Sequence, residues 1–427
     1  MNERDTTARE MRRTRVPIRH VAAILAGNAL EFFDFISYAF FAVYIGKAFF
    51  PAADGSTSLL LSLATFGVGF LARPIGGLVI APLGDRIGRK PTMILSFSLM
   101  GGASLGIALT PPYAAIGIAA PALVIVFRLL QGFAVGGEVG PTTSFLIESA
   151  PEKRRGLFAS FFLATADFAV LVAGLIGVLL ASTLDAEALQ AWGWRVPFFI
   201  GAAIVPFGLA LRRTLPETLI AHGEEATPHP ARARAYLGLA AIAAMLFAST
   251  TVLTYMRHYM TTYAINTLMM PASLAFGATL TTGLVSIFSN PFGGHLSDRF
   301  GPRRMMALTG LLVLALAYPL FLVLTHLRTG EALVFVAAAM ALLGGIFTPP
   351  AIAWFAGAVP KHMRSGIVGI TYAFAVGIFG GTTQLAVTWL IGALEDPLAP
   401  AYYLMAAMAL GLFAIALAGR VPKARSR

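Results

Sequence analysis

Long apolar runs alternate with short polar segments along the whole chain. Stretches such as Leu59 to Phe70 and Leu308 to Leu324 are apolar at almost every position, unlike the alternating strands of a membrane barrel. A helix needs about 20 mostly apolar residues to cross the hydrocarbon core of a bilayer. It also satisfies its own backbone hydrogen bonds inside lipid. The pattern therefore predicts an all-α membrane protein.

The runs predict twelve transmembrane helices. The first 20 residues are polar and rich in Arg, and no small-residue cleavage site follows the first run, which indicates a retained helix rather than a signal peptide. The predicted spans are 21–46, 58–82, 92–110, 121–148, 156–182, 196–213, 237–264, 271–295, 304–325, 331–358, 365–391 and 400–420. The predicted organisation is a tail at 1–20, a six-helix bundle at 21–211, a linker at 212–236, a second six-helix bundle at 237–420 and a tail at 421–427.

Composition and charge agree with a lipid environment. Of the 427 residues, 57% are hydrophobic and only 12% are charged. The net charge of +11 does not indicate nucleic-acid binding, because the basic residues are dispersed between the spans. If both termini are cytoplasmic, 25 of the 31 Lys and Arg residues lie on the cytoplasmic side, as expected for the inner membrane. The absence of Cys excludes disulfides, thiol catalysis and cysteine-ligated metals.

Two polar loops are repeated in the two halves. The segment 85–90, DRIGRK, follows the second span, and the segment 298–304, DRFGPRR, follows the eighth span 213 positions later. The segment beginning at Pro151 and ending at Gly156 is echoed by the segment 360–366 at nearly the same offset. Two unrelated motifs with a common offset indicate an internal duplication.

These loops resemble the signature of the major facilitator superfamily. Segments 27–35 (GNALEFFDF), 128–132 (RLLQG), 136–138 (GGE), 192–198 (WGWRVPF) and 215–218 (LPET) further resemble its metabolite:proton symporter family. The end of the first span, 44–51, is most similar to the citrate and tricarballylate carriers. Departures from that pattern are Ala81 in place of Gly, and charged or ionisable side chains at Asp167, Arg257 and His258.

The resemblance implies proton-coupled symport of a small organic anion, a di- or tricarboxylate such as citrate or tricarballylate. Two bundles would rock around a site near the membrane midplane and open it to each side in turn. The energy would come from a transmembrane proton or sodium gradient, and no cofactor or metal is expected. The expected partners are the substrate, the proton and membrane lipid, with no nucleic acid, and the expected state is a monomer.

In the resembling superfamily the repeated loops latch the cytoplasmic side. The corresponding gating candidates are Asp85, Arg86, Arg89, Asp298, Arg299 and Arg303. Their Gly residues permit tight turns, and an Asp can meet an Arg or a helix N-terminus across the interface. The same residues would also serve a simple turn and topology role.

Ionisable side chains inside the spans are the candidates for proton coupling, because a charge in hydrocarbon costs at least a few kcal/mol. They are Asp34, Glu31, Glu138 and Asp167. Asp34 and Glu31 share a helical face and are expected to meet Arg128, either as a titrating pair or as a static lock. Asp167 is expected to titrate or to be a buried partner of Arg73 or Arg128.

A polar and aromatic cluster in the seventh span predicts an anion site, because Arg forms bidentate contacts with carboxylates. The candidates for substrate binding are Asn28, Arg128, Gln131, Tyr255, Arg257, His258, Tyr259, Asn290 and Gln384. Two alternative interpretations would remove residues from these substrate-binding candidates. Arg257 and His258 could instead reach water at the outer end of the span, and the uncharged polar residues could serve helix packing.

Other functions stay open at this point. A zwitterionic osmolyte such as proline or betaine is the second substrate class, since other members of the resembling family transport those compounds. A ligand receptor without turnover is a further alternative. An enzyme is not expected, because the chain lacks zinc-protease and serine-nucleophile motifs, and the lack of a phosphate-binding loop argues against ATP as the energy source.

Overall fold

The computed structural model describes residues 18–52, 54–87, 89–136, 154–213, 237–359 and 370–418, and these residues are almost entirely helical. The helices are α1 Ile18–Phe40, α2 Ala42–Phe49, α3 Gly55–Ile87, α4 Arg89–Leu109, α5 Tyr113–Ile116, α6 Ala119–Val135, α7 Arg155–Thr183, α8 Ala186–Ala191, α9 Val196–Arg213, α10 Leu237–Asn266, α11 Ala272–Phe300, α12 Pro302–Leu327, α13 Gly330–Ala358, α14 Gly381–Leu394 and α15 Ala399–Ala418. A 3₁₀ turn at Gly193–Arg195 precedes α9, and a π-helical turn at Val376–Gly380 precedes α14.

A helix lies in each of the twelve predicted spans. Among the described residues, eight helices are long and apolar enough to cross a membrane, and α1 and α2 together form a ninth, bent candidate. Two further apolar helices, Ile94–Leu109 and Ala119–Val135, are shorter. The rest of the fourth predicted span, 137–148, and the linker lie outside the described residues. The expected all-α membrane architecture is confirmed.

The first span departs from a regular helix. It was expected to be continuous but bends by 64° between Phe40 and Ala42. Phe41 has left the helical region, with φ −101° and ψ 13°, and its ring lies 4.8 Å from that of Phe276 in the second half. The break therefore directs an aromatic side chain across the interface. The tenth span, in contrast, is uninterrupted, although α13 contains Pro349 and Pro350.

The two halves, α1–α9 and α10–α15, contain two large buried clusters of apolar side chains. The halves meet most extensively where α7 packs along α11, and again where α3 crosses the eleventh span. At the second crossing the backbones touch, since a Cβ atom at Gly67 would lie 2.6 Å from the carbonyl oxygen of Gly381. Small residues of this kind are what allows membrane helices to approach closely.

Candidate transport site

Asp34, on α1, is bound by two side chains of its own half. The Ser104 hydroxyl on α4 donates to its Oδ1, and Gln131 Nε2 on α6 donates to its Oδ2 over 3.0 Å. The Oε1 of Gln131 in turn accepts a hydrogen bond of 2.7 Å from Arg128 Nη1. Gly201 on α9 leaves room for the carboxylate, because a Cβ atom there would lie 2.5 Å from Oδ1. Asp34 therefore reaches Arg128 through Gln131, whereas direct contact was expected.

Arg128 is completely buried and lies among aromatic rings. Its Nη1 and Nη2 donate to the carbonyl oxygens of Phe35 and Phe66, each over 3.3 Å. Its guanidinium carbon lies 4.3 Å from the centre of the Phe35 ring and 4.6 Å from that of Tyr38. Such stacking is favourable for a desolvated cation. The Nε atom has no hydrogen-bond partner in the described part of the chain.

Arg73, on α3, lies on the same aromatic group from the other side. Its guanidinium carbon is 4.2 Å from the ring centres of both Phe35 and Phe70. Arg73 is buried and interacts electrostatically with Glu31 and Tyr255. Phe35 is thus held between two guanidinium groups, which concentrates positive charge at the interface of the halves.

Asn28, Glu31, Asp34 and Tyr38 are all buried, as are the other residues from 33 to 40, so burial does not single out the α1 face predicted from the spacing. Asn28 already has hydrogen-bond partners within its own half, since its Nδ2 donates to the carbonyl oxygen of Phe162 and the hydroxyl of Thr165 on α7. These contacts favour a packing role for Asn28 over a substrate contact.

Arg257 and His258 are buried, so the alternative in which they reach water at the outer end is wrong. Arg257 Nη1 donates to the Ser286 hydroxyl over 2.6 Å. One turn further along α11, Asn290 Nδ2 donates to Asp167 Oδ2 over 2.6 Å. Asp167 interacts electrostatically with Arg257. Neither expected partner of Asp167, Arg73 or Arg128, was the right one.

Several polar side chains of the second half lack hydrogen-bond partners among the described residues. Both ring nitrogens of His258 and both amide atoms of Gln384 are buried and unpartnered. The hydroxyls of Thr282 and Thr348 are buried and unpartnered as well. Tyr259, in contrast, is bonded to the Thr388 hydroxyl over 2.8 Å. Buried polar groups without partners are expensive, so such groups are candidates for binding a ligand or water.

Tyr255 connects the two halves of the site. Its ring lies 5.4 Å from that of Phe70 and 5.6 Å from that of His258. It also interacts electrostatically with Arg73 and Arg128. Tyr255 and His258 therefore form a continuous path from the arginines of the first half to Arg257.

One gating candidate makes a contact between the halves. The carboxylate of Asp298, at the end of α11, accepts from the backbone N–H groups of Gly156 and Leu157 over 2.8 and 3.0 Å. It thereby caps the start of α7 in the other half. Arg299 and Arg303 are exposed beside it. The side chains of Asp85, Arg86 and Arg89, and the whole of Glu138, lie outside the described residues.

Sequence reasoning missed several members of the site. The residues are Ser104 and Gly201 around Asp34, the rings of Phe66 and Phe70, and the hydroxyls of Thr282 and Thr348. Thr282 could have been found, since it lies one turn before Ser286 on α11. The aromatic residues carry no distinguishing signal in a chain with 32 Phe residues. In the described ranges no cluster of three or more His, Asp or Glu could hold a metal ion.

Two family models match the chain, the Sugar (and other) transporter model over residues 20–234 and the Major Facilitator Superfamily model over residues 271–427. The citrate-proton symporter of Salmonella typhi is 35% identical over 402 residues, which cover 93% of this chain and 93% of that protein. The chain belongs to the major facilitator superfamily. It is thus a multi-pass membrane transporter rather than an enzyme, and the family resemblance of the sequence motifs is confirmed.

Other relatives in the superfamily differ in the substrate that they are named for. The alpha-ketoglutarate permease of Escherichia coli (strain K12) is 35% identical, covering 87% of each chain. A proline/betaine transporter of Salmonella typhimurium is 33% identical, covering 92% of this chain and 81% of that protein. The crystal structure of a D-xylose-proton symporter superposes with a TM-score of 0.76 at 17% identity, covering 95% of this chain and 98% of that one. That likeness confirms the fold.

Proposed function

We propose that this superfamily member is a proton-coupled symporter of a small organic anion, a di- or tricarboxylate, in the bacterial inner membrane. The observation that supports the anion most directly is the pair of buried arginines between the halves. Arg73 and Arg128 are both buried, and each has an Nε atom without a hydrogen-bond partner in the described residues. A carboxylate would provide the missing acceptor. The relatives named for citrate and alpha-ketoglutarate agree with this substrate class.

The alternative substrate, a proline- or betaine-like zwitterion, fits the aromatic group less well. A quaternary amine would need free aromatic faces. Here Phe35, Phe66, Phe70 and Tyr38 are in contact with the guanidinium groups of the protein itself. A second cation at these rings would be repelled by Arg73 and Arg128. The aromatic group therefore favours an anion, although a relative is named for proline and betaine.

Asp34 is the proposed proton carrier, acting on the anion site through Gln131. When Asp34 is ionised, it offsets the charge of Arg128 and accepts the Gln131 amide. When Asp34 takes up a proton, that negative charge is removed, so Arg128 attracts an incoming carboxylate more strongly. Proton binding would thereby favour substrate binding, which is the requirement for symport. Glu31, Asp167 and Glu138 remain further candidates for a titrating carboxylate.

Alternating access would use the contact between Asp298 and the start of α7 as one latch. The contact joins the two halves at the membrane face where the repeated loops lie, which we propose to be cytoplasmic, together with both termini. Opening of the halves at that face would break it. Asp85 is proposed to make the equivalent contact in the other repeat.

The proposal is tested with Asp34→Asn, which removes the titratable group and nearly keeps its shape. We expect the variant to bind citrate and to exchange it across proteoliposomes, but to lose accumulation driven by a pH gradient. Asp185→Asn, the same change at an exposed helix cap, is the matched control and should transport normally. Citrate, tricarballylate, proline and betaine should be compared in the same assay.

Two results would contradict the proposal, one for the role of Asp34 and one for the substrate class. A well-folded Asp34→Asn protein with undiminished proton-driven accumulation would exclude Asp34 as the proton carrier. If Asp34 is only a structural partner, the variant should instead lose about 3 to 5 kcal/mol of stability, because Arg128 is left as a poorly compensated buried charge. Uptake of betaine but of no carboxylate would overturn the proposed substrate class.

A further inference from the structure

Arg257 and Asp167 form a second buried pair of opposite charges, on opposite sides of the interface between the halves. Asp167 belongs to α7 of the first half, and Arg257 to α10 of the second half. Both are buried, and they interact electrostatically. A buried charge in a membrane span is a functional candidate by default. Neither residue belongs to the Asp34 network, the hydrogen-bonded group of Asp34, Ser104, Gln131 and Arg128.

The two charges are held one turn apart on α11 and are not joined directly. On the surface of α11, Arg257 donates a hydrogen bond to Ser286, and Asn290 donates one to Asp167. Arg257 Nε has no hydrogen-bond partner in the described ranges. The guanidinium group is thus balanced in charge by Asp167 while part of its hydrogen-bonding capacity stays unused. A second carboxylate could bind Arg257 without first breaking a salt bridge.

Two helices that contact Arg257 carry further buried hydroxyls without partners. Arg257 packs against the backbone of α13 at Gly344, since a Cβ atom there would lie 3.1 Å from Arg257 Nε. Thr348 lies one turn beyond Gly344 on α13, and Thr282 lies one turn before Ser286 on α11. Both hydroxyls are buried, and neither has a partner in the part of the chain that the structure describes. Unused hydrogen-bonding groups therefore lie one turn from each of these two contacts with Arg257.

We propose that Arg257 forms a second anion-binding subsite, with Asp167 as its resident counter-ion, so that the substrate carries at least two carboxylates. The proposal rests on the proposed anion transport and assigns a binding site to the second carboxylate of its substrate. One carboxylate binds at Arg128 and Arg73 in the first half, and the other binds at Arg257 in the second half. Tyr255 and His258 line the path between them. Because each carboxylate is bound by a different half, a monocarboxylate cannot join the halves in the same way.

The test uses the full-length protein purified in detergent and calorimetric binding of three probes at one pH. Tricarballylate has three carboxylates, glutarate has two, and valerate has the five-carbon chain of glutarate with one carboxylate replaced by a methyl group. The variants are Arg257→Gln, Asp167→Asn and the double variant Arg257→Gln/Asp167→Asn. Arg328→Gln, at an exposed position, is the matched control. Thermal unfolding of each variant checks that it is folded.

We expect the wild-type protein to bind glutarate at least about tenfold more tightly than valerate, because a buried charge pair contributes that much or more. Arg257→Gln should remove this difference by weakening glutarate and tricarballylate and leaving valerate unchanged. Asp167→Asn should strengthen binding of both polycarboxylates, since the competing counter-ion is gone. The double variant leaves neither charge uncompensated, so it should be folded and should bind glutarate as weakly as Arg257→Gln.

Different outcomes overturn the inference and the proposed function. Unchanged glutarate affinity in a folded Arg257→Gln or double variant, or weaker binding in Asp167→Asn, would overturn the second subsite alone. Equal binding of glutarate and valerate by the wild-type protein would do the same. Binding of none of the three carboxylates by the wild-type protein would overturn the proposed anion transport itself.

Discussion

Gln131 in the first half and Gln384 in the second half are both completely buried, yet their hydrogen-bonding environments differ. Gln131 accepts from Arg128 and donates to Asp34. Both side-chain atoms of Gln384 are without hydrogen bonds among the described residues. Gln131 is therefore positioned before a substrate arrives, whereas Gln384 is a group that a substrate would complete.

This difference has an energetic consequence. A buried polar atom without a partner costs about 1 to 3 kcal/mol. His258, Gln384, Thr282 and Thr348 all contribute such atoms in the second half. A substrate or water that supplies their partners recovers this free energy on binding. The unpartnered atoms of these four residues thus favour a binding role for them, whereas the hydrogen bonds around Asp34 favour a positioning role for Gln131.

The largest expected contrast comes from the same substitution at the two glutamines. Gln131→Leu should lower the free energy of unfolding by about 1 to 3 kcal/mol, since it leaves buried groups of Asp34 and Arg128 without partners. Gln384→Leu should leave stability unchanged or raise it, because it removes unpartnered atoms and adds apolar volume. Its substrate affinity should fall about tenfold, the equivalent of one lost hydrogen bond of about 1.4 kcal/mol. Thermal unfolding and equilibrium binding measure both effects.

The contrast between the two glutamines would be wrong if the two leucine variants lost the same stability. It would also be wrong if Gln384→Leu kept the wild-type affinity for every substrate that the protein transports. In that case the atoms of Gln384 would have partners in the apo protein, such as water.

A smaller effect is expected at the contact that joins the halves. Asp298→Asn keeps a capping side chain at the start of α7 but removes its charge. We expect slower exchange of substrate across proteoliposomes with nearly unchanged equilibrium affinity, because the latch lies away from the binding groups. Asp85→Asn should behave alike if the repeats are equivalent. Loss of substrate binding in either variant would place that Asp in the substrate site instead.

The sequence was sufficient for the class of fold, because it depends on the length and apolar character of the runs. The run lengths gave a helix in each span. The bend near Phe41 could not be predicted, since no Pro or Gly marks it, and it places Phe41 against Phe276 in the other half. Continuous helix through Pro349 and Pro350 likewise depends on tertiary packing.

Partners across the interface were the least predictable feature. Asp167 was expected to meet Arg73 or Arg128, yet it lies against Asn290 and near Arg257. Which of several buried cations a carboxylate meets depends on how α7 packs along α11, and one sequence does not contain that geometry. Asp34 was assigned to the correct arginine, but the bridging position of Gln131 depends on side-chain rotamers.

The smallest expected effect distinguishes a local helix cap in the first half from the Asp298 cap between the halves. Asp54 accepts hydrogen bonds from the Thr57 backbone N–H over 2.5 Å and the Thr57 hydroxyl over 3.2 Å, at the start of α3. These bonds hold the pKa of the exposed Asp54 carboxyl below its ordinary value. A lowered pKa stabilises the folded state above the pKa of the unfolded chain, about 3.9, and the contribution is lost as the pH falls through the folded-state pKa. Asp54→Ala should therefore lower the Tm slightly at pH 7, and the difference from wild type should shrink below pH 4, about the unfolded pKa of Asp. Transport should be unaffected, because the cap does not join the halves. A Tm difference that does not change with pH would show that the cap acts through its shape alone, and slower transport would show that α3 begins at a second latch.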